Sequence, residues 1–397
     1  MDIGLLYSHL SERGGVENVI LKQAELLRSR GHNARCYFAY LERNVLRSDA
    51  CDYVDSYFRG LLPNNKTTRI VLSLPLAPLT YRNLKDIEIL ICHGYGPAPW
   101  IGYVQKMMRK IKYVSYIHFL PRMFYLGSEE TKLWRYDSTR NLVYWISRFS
   151  DPLVKRTDML GVSNSDHIMV NSLFMKRRVK RVYGLDSTVC YPPVETSIFR
   201  KLKHAEIRYI QSESEHPMIF SSGRIVPIKR WDLLIRVLPH IKRVYPNVSL
   251  AIAGDISPES QRYCYELMEL SKSLGVDKNV QFLGFKSLEE LVRLYNAADA
   301  YAYITPTEDF GLGPVEAMAC GTPAVVWDDG AGPTETVING KTGFRAKPYN
   351  LEDFAEKILS TFELDKESIG TYLHQHVESN FSSQNHLRIL EEVLEDL

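Results

Sequence analysis

The sequence predicts an α/β protein of two domains, each built on a parallel sheet with helices on both faces. Three observations point that way. The chain has 397 residues, more than a single hydrophobic core usually serves. Short β-rich apolar runs alternate with helical segments along most of its length, the pattern of parallel strands joined by crossovers. One stretch, Tyr301 to Trp327, spells a whole strand–loop–helix–strand unit: YAYITPTEDFGLGPVEAMACGTPAVVW.

In the first half, Ile3–Tyr7 reads as a buried strand, Ser8–Gly15 as a loop and Val16–Arg30 as an amphipathic helix stopped by Gly31. A Gly14-Gly15 pair at a helix start leaves backbone N–H groups free for an anion, although most glycine pairs are simply turns. Further strands are expected at Asn33–Ala39, Arg69–Leu74, Ile87–Cys92 and Lys112–Ile117. Two of them run into histidine, His93 and His118. A strand's carboxyl end is where ligands of such sheets collect; the plain alternative is a capping or solvated side chain. A strand at Asp166–Asn171, a helix from Ser172 and a strand from Thr188 follow. Pro192-Pro193 and the charged stretch Phe199–His216 then read as the interdomain linker. The expected division is residues 1–195, residues 196–380 and a last helix over 381–397.

The second half restarts at strand Met218–Ser222 and the sentence SSGRIVPIKRWDLLIRVL. Gly223 lets a ligand approach the backbone. Arg224 offers a planar fork and Lys229 a point charge, both suited to a diphosphate; in isolation they would be two solvated cations. Strand Ser249–Ala253 ends in Gly254-Asp255, helix Pro258–Leu274 follows, and strand Val280–Leu283 ends in Gly284-Phe285. In the central unit, strand Ala300–Ile304 leads through the turn Thr305–Glu308 and the glycine-bearing loop Phe310–Gly313 to a helix opening at Pro314. Gly321 ends that helix, and strand Ala324–Trp327 follows. Glu308 is expected at the mouth of the loop and Glu316 in the first helical turn, two carboxylates for opposite ends of one elongated polar ligand. Spacing alone is weak, since Glu-x7-Glu arises about twice by chance in a chain of this length.

Composition narrows the class. Apolar residues make up 45% and charged residues 24%, with a net charge of +2, an ordinary globular balance. Between Ile101 and Tyr183, however, 16 Lys or Arg stand against 6 Asp or Glu. With Phe124, Tyr125, Trp134, Tyr144, Trp145 and the run Lys176–Arg181, this segment suits either core packing or an anionic membrane face or lipid-diphosphate acceptor. No nucleic-acid motif accompanies the charge. Six scattered cysteines without a C-x-x-C pair, no signal peptide and no run of roughly 20 apolar residues lead to the expectation of a cytoplasmic protein, soluble or on a membrane surface. D-x-D is absent from the sequence, so no metal and no cofactor are expected.

Glu308-Asp309-Phe310-Gly311, followed by Pro-Val-Glu316-Ala-Met-Ala-Cys-Gly-Thr-Pro, resembles the Glu-x7-Glu signature of the retaining family-4 glycosyltransferases with the GT-B fold. Other stretches resemble the same family: Gly14-Gly15-Val16-Glu17, Tyr116-Ile117-His118-Phe119, the Tyr191-Pro-Pro-Val end of the first half, Gly223-Arg224-x4-Lys229, and the loop Asp328–Pro333. Arg230 departs from it, standing where a glycine is common, and Ala331 replaces another. The resemblance implies two Rossmann-like domains facing a central cleft, with the last helix crossing back to the first domain. It further implies a nucleotide-sugar donor bound mainly by the second domain and an acceptor by the first. Glu308, with backbone N–H groups around Phe310, Gly311 and Leu312, would hold the transferred sugar. Glu316 would hold the ribose, while Gly223, Gly254 and Phe285 would line the donor. Arg224, Lys229 and the Gly14-Gly15 amides would steady the departing diphosphate, and His118 would contact the sugar or acceptor. The implied activity is retaining, metal-independent hexosyl transfer, GDP-mannose being favoured over a UDP-hexose as donor, to a glycan or lipid-linked acceptor. A GT-B phosphorylase, a nucleotide-sugar epimerase and a non-catalytic carbohydrate-binding protein are the alternatives.

Overall fold

Seven parallel strands form the first sheet: β1 (Asp2–Leu10), β2 (Asn33–Leu41), β3 (Val54–Ser56), β4 (Ile89–His93), β5 (Lys112–Ile117), β6 (His167–Val170) and β7 (Thr188–Val189), in the order β3-β2-β1-β4-β5-β6-β7. The computed structural model describes residues 1–11, 14–46, 48–121, 125, 142–203, 216–257 and 260–397. Central strand β1 is buried continuously from Ile3 to Tyr7, as a strand covered on both faces must be. One cover is the helix Gly15–Ser29, whose Ile20, Ala24 and Leu27 share a core with Ile3 and Leu5. The same core takes in Leu387, Leu390 and Leu394 from the terminal helix Ser383–Glu395.

The second sheet has six parallel strands: β8 (Met218–Ser222), β9 (Ser249–Ala253), β10 (Val280–Gly284), β11 (Ala300–Tyr303), β12 (Ala324–Trp327) and β13 (Gly343–Ala346), ordered β10-β9-β8-β11-β12-β13. Trp231, Leu234, Ile235 and Leu238 of the helix Trp231–Lys242 pack on this sheet with Trp327, Phe354 and Ile358. The chain divides into one unit of Met1–Pro193 with Ser383–Leu397 and another of Val194–Ser382. Val194 lies in the second unit because it bridges to Ser382 and its N–H donates to Phe381 O at 2.8 Å. The start of the charged stretch is likewise held within that unit: Leu202 N–H donates to Asn296 Oδ1 at 2.8 Å and Phe199 stacks edge-on against Tyr295. Residues 204–215 lie outside the described residues.

Two expectations about elements need correction. Arg69–Leu74 is not a strand: Lys66–Leu72 is a helix, capped by Asn65 Oδ1 accepting the Thr68 N–H at 3.0 Å. The β-branched run favours a strand locally, but buried Arg69 reaches the carbonyls of Pro63, Leu62 and Ala39 and Ser56 Oγ from its helical position. Tertiary bonding overrides propensity there. The helix of the central unit opens at Leu312, not Pro314, and runs to Ala319. Its start is set by Gly311 in a left-handed conformation, φ +83°, so Glu316 falls in the second turn rather than the first.

Candidate active site

In each sheet the strand order reverses at one place, and ligands of doubly wound sheets bind in the crevice there, beyond the strands' carboxyl ends. In the second unit the reversal lies between neighbouring β8 and β11, and the loops after those two strands carry Gly223, Arg224, Lys229 and Glu308.

Gly223 has φ +150°, a conformation reserved for glycine, and its N–H donates to Ala253 O at 2.9 Å. A Cβ on Gly254 would lie 1.9 Å from the Gly223 carbonyl oxygen. The two glycines therefore let the ends of β8 and β9 touch, leaving a floor made of backbone. Arg224 is exposed, its carbonyl accepting the Trp231 indole N–H at 3.0 Å. Lys229 ends a 3₁₀ turn, Pro227–Lys229. Its ammonium lies 2.6 Å from Glu308 Oε2 and 3.1 Å from the Tyr303 hydroxyl. Tyr303 in turn donates to the same Glu308 oxygen at 2.7 Å, and burial pushes its phenol well above the usual range, with the Glu308 charge adding to the shift. Cation, carboxylate and phenol thus fix one another, with about a fifth of each charged side chain still exposed (22% and 19%).

The adjoining loop is tied in from two directions. Gly332 N–H donates to Glu308 O at 2.9 Å, and a Cβ on Gly332 would sit 2.4 Å from Phe310 Cα. Asp329 accepts the N–H groups of Thr307 and Ala331 at 2.9 and 3.0 Å. The helix Leu312–Ala319 has no side-chain cap, so the first backbone N–H groups after Gly311 and Leu312 keep the donor capacity of an open helix start. Phe310 was expected to act through its backbone, and its side chain, 3% exposed, packs on Phe381. Phe285 is the reverse, 77% exposed beyond β10.

Glu316 is half-buried and belongs to a polar chain that sequence reading missed. Tyr295 donates to Glu316 Oε2 at 2.7 Å, and Ser222 Oγ lies 2.9 Å from the Tyr295 hydroxyl and 3.0 Å from that of Tyr301. Burial raises the Glu316 carboxyl, the Tyr295 bond opposing it. The alternation Tyr301-Ala-Tyr303 was the available signal, since i and i+2 share one face of a strand.

In the first unit the reversal lies between β1 and β4. Gly14 caps the helix Gly15–Ser29, and its carbonyl accepts the Asn18 N–H at 3.1 Å. Buried Glu17 turns its carboxylate over this start: a Cβ on Gly14 would meet Glu17 Oε2 at 2.5 Å. A carboxylate therefore lies beside the helix terminus on which an anion was expected. His118, just past β5, is 3% exposed, and its Nε2 lies 3.0 Å from Nδ1 of His93 at the end of β4. Burial, then the neighbouring His386, lowers the His118 imidazole to about 3, so it is uncharged at neutral pH. His386, Tyr295, Tyr303 and Asp329 are additions that the folded chain brings to these sites, and His93, the other strand-end histidine, joins His118.

Of the expected basic and aromatic surface, Phe124, Trp134 and the side chains of Tyr144 and Trp145 lie outside the described residues. In the run Lys176–Arg181, Arg178 is buried and stacks over Phe174 at 4.2 Å, while Lys176 pairs with Asp186. Among the described residues, no helix is long and apolar enough to cross a membrane, and no group of three or more His, Cys, Asp or Glu side chains is arranged to hold a metal ion.

Two family descriptions match the chain: Glycosyltransferase Family 4 over residues 13–198 and Glycosyl transferases group 1 over residues 203–370. The D-inositol 3-phosphate glycosyltransferase of Mycolicibacterium smegmatis is 28% identical over 219 residues, 54% of this chain and 49% of that protein. The chain thus spans about half the length of the curated relatives it matches. Among solved structures, a glycosyltransferase from Rickettsia africae superposes with TM-score 0.77 at 21% identity, covering 100% of this chain and 98% of the other. Anabaena HepE in complex with UDP gives 0.74 at 21%, covering all of both chains. Two all-parallel sheets, the motif-bearing stretches of both halves and two consecutive family matches agree: the chain belongs to the family-4 glycosyltransferases of the GT-B fold, with a group-1 C-terminal domain.

Proposed function

We propose that this protein is a hexosyltransferase, moving a sugar from a nucleoside diphosphate donor to a hydroxyl of a glycan or lipid-linked acceptor, with retention and without a metal. The observation that carries this reading is the meeting of Lys229, Glu308 and Tyr303 at the strand reversal of the second sheet, with Glu316 on the helix that follows. Lys229, joined by Arg224, supplies positive charge for the diphosphate as its bond to the anomeric carbon breaks. Glu308 and the open start of the helix Leu312–Ala319 bind the sugar hydroxyls, and Glu316 the ribose. The acceptor oxygen forms the new bond to that carbon, and its proton passes to the departing phosphate. Electrostatic stabilisation by fixed donors of this kind needs no divalent ion. The basic excess between Ile101 and Tyr183 supports an acceptor presented at an anionic membrane face.

Donor identity is tested by a thermal-shift and turnover panel, because a true donor stabilises the native state by mass action. The panel sets GDP-mannose, which the wording of Glu308–Gly321 favours, against UDP-glucose, with which Anabaena HepE was solved. It is run with and without a chelator. Lys229→Ala and Glu308→Gln should each lower turnover by about a hundredfold or more. Their pair is partly exposed, so melting should change by only about 1 kcal/mol equivalent. Normal turnover in either variant would refute the roles assigned to this pair. Release of sugar phosphate would point instead to a phosphorylase, and hydrolysis without transfer to an epimerase.

A further inference from the structure

His93 was one of two histidines at strand ends, and nothing in the proposed chemistry uses it. It closes β4, which borders the strand reversal of the first sheet, and it is fully buried. Its ring stacks on that of His118 with centroids 5.3 Å apart and planes 8° from parallel. Its Nδ1 lies 3.0 Å from His118 Nε2. Its other nitrogen, Nε2, is buried without a hydrogen-bond partner. On His118 the situation is reversed: Nε2 is taken by His93, the carbonyl is fixed by Asn171 Nδ2 at 2.8 Å, and Nδ1 is not among the sealed atoms.

One proton lies between the two rings, and the sealed nitrogen decides which ring owns it. If His118 donated, the His93 proton would sit on Nε2, leaving a buried N–H with no acceptor, the rarer and costlier kind of orphan. If His93 donates from Nδ1, its sealed Nε2 carries only a lone pair. A charged ring on either side is excluded by the shared burial, which holds both imidazoles below the ordinary value, with His118 and His386 adding to the effect on His93. The remaining neighbours do not compete. Tyr116, tilted against both rings, spends its hydroxyl on Cys190 O at 2.6 Å. His386 gives Nδ1–H to Tyr191 O at 2.6 Å and faces Gln23 Nε2 with its own Nε2 at 2.9 Å.

We infer that His93 is a positioning residue which, by donating from Nδ1 to His118 Nε2, fixes His118 as the neutral Nδ1–H tautomer and so makes it a hydrogen-bond donor to whatever oxygen binds at the strand ends. His118 is then neither a general base nor a cation. A ring so fixed supplies an oriented N–H to a sugar or acceptor hydroxyl without the reorganisation that a free imidazole would need. The catalytic consequence rests on the proposed sugar transfer; the tautomer does not.

The test is long-range ¹H–¹⁵N correlation NMR on the full-length protein with labelled histidine, His118 being assigned by its loss in His118→Gln. At pH 7 the wild-type spectrum should show His118 protonated on Nδ1 only. In His93→Ala it should move toward the Nε2–H form that an unconstrained imidazole prefers, and in His93→Asn, whose amide N–H lies near the position of Nδ1, it should return. Turnover should follow: kcat lower by about tenfold or more, the scale seen when the partners that orient metal-bound imidazoles are removed, KM for the donor nearly unchanged, and partial recovery with Asn. An Nε2–H or doubly protonated His118 in the wild type would overturn the inference, even should His93→Ala fail to fold. An unchanged His118 tautomer in a folded His93→Ala would do the same. Absence of any sugar transfer alongside the expected spectrum would instead refute the proposed function and leave the tautomer standing.

Discussion

Gly313→Ala is the sharpest structural test of how Glu316 is oriented. Gly313 is the second residue of the helix Leu312–Ala319, a position where alanine would ordinarily gain about 1 kcal/mol over glycine. A Cβ there, however, would lie 2.1 Å from the Tyr301 hydroxyl, 2.9 Å from its Cζ and 3.2 Å from its Cε1. Tyr301 is fully buried and cannot swing into solvent. Relieving the clash displaces its hydroxyl from Ser222 Oγ, the atom that also bonds Tyr295, which holds Glu316. Overpacking costs about 1–3 kcal/mol and the strained hydrogen bond about 1. Against the helical gain, the net destabilisation is about 2 kcal/mol, and under the proposed function binding of the nucleotide donor should weaken as Ser222 and Tyr295 shift beneath Glu316.

The decisive comparison is a cycle with Tyr301→Phe, which removes the atom nearest the clash. Denaturant unfolding, followed by tryptophan fluorescence, should find the double variant more stable than the summed single effects by about 1 kcal/mol, the coupling expected of residues in contact. Relief stays partial because the ring carbons remain. Strict additivity, or a Gly313→Ala protein as stable as wild type, would show that the Tyr301 hydroxyl does not bear on Gly313 and that Tyr301 is not coupled to the Ser222–Tyr295–Glu316 chain.

Acid sensitivity follows from the buried histidines. His118 is lowered to about 3 and His386 to about 4, and His93 is lowered as well, against an ordinary 6.5. The unfolded chain therefore binds more protons below pH 6.5, and stability contributed by neutral histidine falls as pH drops from there toward the folded values, by roughly 1 kcal/mol per histidine and pH unit. Melting measured from pH 7.5 to 4.5 should show this fall, and His386→Gln should flatten it; a flat wild-type profile below pH 6.5 would contradict the burial of these rings. Asp158 is fully buried and accepts from Tyr125, Tyr183 and Gly96 N–H at 2.9, 2.8 and 3.2 Å. Asp158→Ala leaves those donors orphaned and should cost about 3 kcal/mol or more in unfolding experiments, with Asp158→Asn costing less; equal stability of Ala and wild type would refute that bonding scheme.

Sheet, crossover and the order of the chemical motifs were legible because each depends on residues near one another in sequence: Ile3–Tyr7 beside Gly14-Gly15, or Glu308 eight residues before Glu316. What escaped depends on partners far along the chain. Arg69 is helical because of carbonyls at Ala39 and Leu62, and no local pattern in Thr67–Leu72 announces them. The Phe310 backbone was placed in a ligand loop from local sequence, but that its ring goes into the core depends on Phe381, far along the chain on the last helix of the second unit. His93 and His118 each looked like a lone strand-end histidine; only the adjacency of β4 and β5 makes them a pair. Conversely, Pro314 misled through a sound local rule, since proline is accepted anywhere in the first turn and the left-handed Gly311 had already started the helix.

The departure at Arg230 has a physical answer, and it bears on the site itself. Among the described residues, four other than glycine have positive φ: Lys110, Arg230, Thr307 and Tyr349. Two of those four are the immediate neighbours of Lys229 and Glu308. Arg230 takes φ +54°, the shape a glycine would adopt freely, at a cost of about 1–2 kcal/mol, and its guanidinium grips Asp232 through two bonds of 3.0 Å. Thr307 takes φ +48° with its N–H held by Asp329. Strain of this kind persists only where surrounding bonds over-determine it, and here two aspartates do so on either side of the ammonium–carboxylate pair. A glycine at 230 would relax the backbone but lose the fork on Asp232, loosening the turn that carries Lys229. The cation and the carboxylate are therefore set in place before any ligand arrives, as the proposed electrostatic stabilisation of a departing diphosphate would require.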